Sequence, residues 1–148
     1  PNVNFFLQRV NIPSIRLPEI QIPTQFVPIP TQYTHLQYGE FSIEFKVDED
    51  FQNYLEIYNW ITNLGFPDDY GQRAAIDANP TYSGNGVVSD ISLIALNSAK
   101  NPNYDIVFED AFPTSLGDVV FDSSNEDVMY VTSSATFIYT KYTINKIY

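Results

Sequence analysis

Phe41-Ser42-Ile43-Glu44-Phe45-Lys46-Val47 alternates apolar and polar residues without a break. A period of two puts Phe41, Ile43, Phe45 and Val47 on one face and Ser42, Glu44 and Lys46 on the other, as in a half-buried strand. The pattern then changes. Asp48 can accept bonds from the free N–H groups of a first helical turn and is read as a helix N-cap. Glu49 and Asp50 complement the positive end of the dipole. Apolar residues then recur at spacings of three and four: Phe51, Leu55 and Tyr58, then Tyr54, Ile57, Ile61 and Leu64. Gly65 suits the left-handed residue past the last turn and Pro67 blocks continuation. The spacing predicts a helix over about 49–64.

On the N-terminal side, residues 4–10 (NFFLQRV) read as a first strand. Residues 11–30 carry Pro13, Pro18, Pro23, Pro28 and Pro30, with Ile12, Ile22, Val27 and Ile29 beside them. Proline donates nothing to a ladder, so this stretch reads as an extended edge or polyproline-like arm lying along an apolar surface, its own or a neighbour's. On the C-terminal side, residues 66–86 form a long stretch with Gly71, Pro80, Gly84 and Gly86, and a short helix over 73–78. Residues 87–97 and 104–112 read as a hairpin closed by SAKNPN. PTSLG (113–117) is expected to break the second strand, 118–121 to form a short one, and DSSNED (122–127) a polar turn. Residues 128–144 read as a long strand bent near Ser133 and Ser134. Strands, one helix, then strands give a mainly β (α+β) class: a β-sandwich or barrel-forming antiparallel sheet with one flanking helix.

The 148 residues fit a single domain, 1–148. The chain starts at Pro1 without Met, so an N-terminal strand or signal is expected to be cut short or missing. It is 44% apolar and 16% aromatic, with 11 Tyr and 11 Phe, a composition that favours sheet and excludes a disordered tail. It has no Cys and one His, which excludes disulfides, thiolate chemistry and a multi-histidine metal site. The net charge of −11 disfavours nucleic-acid and anionic-lipid surfaces as binding partners. No apolar run is long enough for a helical membrane span.

Each chemical candidate has a plainer reading. Asp48, Glu49 and Asp50 lack calcium-loop spacing and fall where a helix start wants acid. Asp68 and Asp69 have no partner group in the sequence, and 122–127 reads as a solvated turn. His35 lies in QYTHLQY with no acid or nucleophile beside it. Gly84-Asn85-Gly86 matches no phosphate loop, and Trp60 belongs with the helix core or a subunit contact. The sequence therefore predicts no catalytic, metal or cofactor residue.

Three stretches together resemble one known family. They are 45–54 (FKVDEDFQNY) continuing through Trp60 to Gly65-Phe66-Pro67; the turn Phe112-Pro113-Thr114-Ser115-Leu116-Gly117 with a short strand and Asp122 after it; and the aromatic, Thr-rich strand 135–142. This arrangement resembles the tail tube proteins of contractile-tailed bacteriophages, in an aromatic-rich, cyanophage-like branch. The resemblance implies a β-sandwich with a flanking helix. It also implies six-fold rings whose inner sheets join into one barrel, stacked inside a sheath, with DNA ejected through the lumen. Implied partners are the chain itself, sheath and baseplate or terminator proteins. DNA passes without specific binding, and no membrane is involved. The implied location is the virion tail, after assembly in the host cytoplasm. A tube initiator or terminator is the variant reading within the family.

Two features of the sequence agree with self-assembly. Long strands that lack edge lysines are a liability unless a neighbour pairs with them, and ring closure removes edges. A net-negative wall also repels a polyanion within a Debye length of ~8–10 Å. Residues 24–39 and 66–86, long and rich in Pro, Gly, Tyr and Gln, are expected to carry intersubunit and inter-ring contacts. The named candidates are Gln25, Phe26, Tyr33, His35, Tyr38, Phe66, Tyr70, Arg73 and Tyr82. The rival classes are a monomeric carbohydrate-binding β-sandwich, with Tyr and Trp stacking on sugars, and a carboxylate enzyme.

Overall fold

The computed structural model describes residues 7–65, 88–122, 124 and 130–147. The expected contacts at Phe66, Tyr70, Arg73 and Tyr82 lie outside the described residues, as does the segment they belong to.

The alternating stretch is a strand, β6 (Phe41–Lys46), with Phe41, Ile43 and Phe45 buried. It lies between β1 (Leu7–Val10) and β9 (Thr132–Ile138), antiparallel to both. Ala135 and Phe137 stand opposite Ile43 and Phe41, so two strands fill one face with apolar side chains. The helix, α1 (Gln52–Gly65), lies against this face. Ile57 is buried, and Tyr54, Trp60 and Ile61 pack beside it. The Trp60 ring sits 6.2 Å from that of Phe137. Burying Ile57 alone contributes roughly 1.5–3 kcal/mol.

The other half of the sheet is built on β8 (Pro102–Leu116), which pairs with β7 (Ser89–Leu96) on one side. On its other side it pairs first with β10 (Lys141–Lys146) and then with β9. Glu109 faces Lys141 and Phe112 faces Ile138, so β9 and β10 are successive parts of one line interrupted at Tyr139 and Thr140. Opposite the interruption, Asp110 has φ 55°, and Glu109 accepts the Thr140 N–H at 3.0 Å. One residue in the left-handed region shifts the side-chain phase by one, as in a bulge. Phe108 and Ala111, three residues apart, therefore both point into the core, and so do Tyr139 and Tyr142. The paired kink curls a single antiparallel sheet around its core. The expected break near Ser133 and Ser134 is displaced to this kink, because the phase change falls where β10 gives way to β9 beside β8.

The curl is open. Leu7 and Val10 of β1 and Ile91 and Leu93 of β7 line opposite walls of an apolar cavity of about 170 Å³ under α1.

Three sequence expectations are corrected. PTSLG does not end its strand: β8 runs through Pro113 to Leu116. Proline is tolerated there because the ladder is irregular between Pro113 and Ser115, and Thr114 bulges out, its hydroxyl donating to the Thr136 carbonyl at 3.2 Å. Residues 118–121 are not a strand. The helix starts at Gln52, three residues past the expected start. Phe51 has φ 59°, which a helix cannot contain, so residues 48–51 form a turn closed by the Phe51 N–H on the Asp48 carbonyl at 2.9 Å. Asp48 takes part through its backbone and precedes the helix instead of capping it.

Candidate functional site

Residues 13–39 leave the sheet and return to it as a hairpin arm. Its outer part pairs β3 (Glu19–Ile22) with β4 (Ile29–Gln32), and its root pairs β2 (Ile15–Arg16) with β5 (Gln37–Tyr38). The prolines sort themselves by position. Pro23 and Pro28 flank the tip, Pro30 sits within a short ladder opposite Gln21, and Pro13 is buried at the root. Between the two ladders the first limb has two residues, 17–18, and the second has four, 33–36. The extra pair bulges outward there, holding Tyr33 and His35 with their rings 5.4 Å apart.

Directly opposed residues of an antiparallel pair share a face. Ile20 with Thr31 and Ile22 with Ile29 therefore make one apolar face, and Glu19 with Gln32 and Gln21 with Pro30 make a polar one. Ile20, Ile22 and Ile29 are each about half exposed, and Phe26 at the tip is 93% exposed. A two-stranded hairpin is marginal in water without an apolar face to pack. Among the described residues nothing covers this one.

The root is held firmly. The Tyr139 hydroxyl donates to the Gly39 carbonyl at 2.8 Å, and the Tyr142 hydroxyl to the Pro13 carbonyl at 3.2 Å. The Gly39 N–H closes the root on the Ser14 carbonyl at 2.8 Å. Tyr38, Tyr139, Tyr142 and Phe108 form one ring cluster with centroids 5.0–6.1 Å apart. Burial pushes the Tyr139 phenol up to about 12, with Tyr142 and Tyr38 adding to the shift, so it stays protonated and keeps donating. Of the expected contact residues, Gln25, Phe26, Tyr33 and His35 are exposed on the arm. Tyr38 instead packs inward on its own chain's core.

The sheet offers two further surfaces. Among the described residues, the outer sides of β1, β7 and β10 have no strand partner. The expected absence of edge lysines does not hold, because β10 begins with Lys141 and ends with Lys146. The face turned away from the core is mostly polar, with Ser42, Thr132, Ser134, Thr136, Thr143 and Asn145, interrupted by Ile94, Val107 and Ile138. Its cations have neighbours: Arg9 lies 3.5 Å from Glu44, Lys141 3.1 Å from Glu109, and Lys46 3.7 Å from the Tyr130 ring centre.

The Phe112–Gly117 motif has a different role from a turn. Gly117 donates to Ser134 at 2.6 Å and accepts from the Ser133 hydroxyl at 3.0 Å and the Tyr54 hydroxyl at 3.5 Å. A Cβ there would meet Ser134 Oγ at 2.5 Å, so this position admits only glycine without displacement. Sequence reading also missed Asn53, which is fully buried. Its amide donates to the Lys46 carbonyl at 2.7 Å and accepts from the N–H of Asp48 at 3.1 Å and of Tyr54 at 2.8 Å. A polar residue on the apolar stripe was the available signal.

Among the described residues, no three His, Cys, Asp or Glu side chains gather as a metal site, and no helix is long and apolar enough to cross a membrane. An anchored arm, open strand edges and a mostly polar sheet face define a structural building block. The phage tail tube protein family matches residues 2–145, so the chain belongs to that family. It is a structural component of the virion tail and not an enzyme. No curated protein matches the chain.

Solved structures share the fold at low identity. The anti-feeding prophage baseplate, 6-fold symmetrised, is 11% identical with a TM-score of 0.65 over 94% of this chain and 80% of that one. The sheath/tube terminator of an extracellular contractile injection system is 16% identical with a TM-score of 0.64 over 94% and 84%. A crystal structure of Hcp protein is 14% identical with a TM-score of 0.51 over 95% and 69%.

Proposed function

We propose that the chain assembles with copies of itself into closed, six-membered rings that stack as the tube of a contractile tail, through which DNA leaves the particle. The observation that carries this reading is the arm. Its apolar face, Ile20, Ile22 and Ile29, is uncovered, while its root is fixed to the core. A neighbouring copy supplies the missing cover. The open edges of β7 and β10 support the ring, since a neighbour's strand completes them by closure. The mostly polar outer face, with its cations already neighboured by acids or an aromatic ring, suits the wall of a water-filled channel. Free lysines there would bind phosphates and hold the DNA. Sheath, baseplate and terminator proteins are the further partners this reading implies.

Light scattering on the purified full chain and on an Ile20→Glu/Ile22→Glu variant tests it. The wild type is expected to form particles of several subunits and the variant to stay monomeric with its circular dichroism unchanged. A variant that assembles as well as the wild type would remove the arm from the proposal.

A further inference from the structure

We infer that the hydroxyls of Tyr139 and Tyr142 are positioning groups that set the direction of the arm before any copy is met. This rests on the proposed role of the arm in assembly and adds how the arm is made ready for it. Only two short stretches of backbone join the arm to the body, residues 13–14 and 38–39. A hairpin hung on two strands can swing about such a root, because the residues beyond it bury almost nothing.

Here the root is fixed from the far end of the sequence. The Tyr139 bond to Gly39 spans 100 residues and the Tyr142 bond to Pro13 spans 129. One hydroxyl holds each limb, so the two bonds together resist rotation as well as lifting. Both donors stand on the core face only because of the kink at Asp110 and Thr140, which brings residues 139 and 142 to the same side. Tyr38 lies between them, its ring 5.9 Å from Tyr139 and 5.5 Å from Tyr142. Thus the sheet's own curl, the two phenols and the arm's root form one rigid unit. An arm held this way loses less conformational freedom when it meets a neighbour, which strengthens association without any new contact.

The chain has no Cys, so two introduced cysteines take spin labels uniquely. Gln25→Cys at the arm tip and Thr143→Cys on β10 report the arm's angle in dilute monomer by pulsed electron resonance. The wild-type background is expected to give one narrow distance distribution. The Tyr139→Phe/Tyr142→Phe background keeps both rings and is expected to broaden it at least twofold with an unchanged circular dichroism spectrum. Should the double variant fold poorly, Tyr142→Phe alone, at the less buried site, is expected to show the same broadening. A distribution as narrow as the wild type in a folded variant would overturn the inference. The Ile20→Glu/Ile22→Glu variant separates the two ideas: it should keep the narrow distribution while losing assembly. If it assembles, the role of the arm fails, whatever the phenols do.

Discussion

Asn53 joins three backbone groups, and it does so with no exposed surface. Replacing it with Ala strips a buried carbonyl and two N–H groups of their partner. Each unpaired group costs about 1–3 kcal/mol, though relaxation recovers part of it. Asn53→Ala is expected to lose about 2–4 kcal/mol in urea unfolding, and Asn53→Asp at least as much at neutral pH, since it sets a buried carboxylate oxygen against the Lys46 carbonyl. Tyr139 gives a second test at this scale. Its folded pKa, raised to about 12, lies above the unfolded value of 10.0. The folded state therefore holds the proton more tightly. Its stabilising contribution is complete below pH 10 and is lost as pH rises towards 12, at up to about 1.4 kcal/mol per pH unit. The urea midpoint should fall over that range, and Tyr139→Phe should flatten the fall. Residues of this kind were the least legible in the sequence. An asparagine on an apolar stripe and a tyrosine in an aromatic-rich strand differ from their neighbours only in the partners that folding brings to them.

The strand at Phe41 and the helix after it were legible because each satisfies a local period, and that period survives into the fold. The kink was not. It depends on Asp110 and Thr140 lying opposite each other, a non-local register that no window of sequence contains. A β-branched residue resists a φ of 55°. Asp110→Val is thus expected to lose about 1–2 kcal/mol in thermal or urea unfolding, whereas Asp110→Gly stays near neutral. The proline-rich stretch was legible as an extended arm lying against something apolar. Its folding back into a hairpin was hidden, because pairing across 13–39 leaves no alternation where Pro23, Pro28 and Pro30 stand. PTSLG misled for the same reason: Pro113 looks like a stop, yet a bulged ladder accommodates it.

At the scale of the molecule, one sheet curls around one core and leaves an apolar hairpin and three strand edges without cover among the described residues. The expectation of intersubunit contacts over 24–39 rests on this geometry. That over 66–86 concerns residues outside it. Exposed apolar hairpins and open edges are aggregation hazards in a solitary protein, and closed symmetric assembly is the usual remedy. The most direct measurement is electron microscopy of the purified full chain at concentrations where light scattering rises. Rings of one diameter with a central hole, alone or stacked end to end, are the expected result. A uniform field of single compact particles at every concentration would contradict the account.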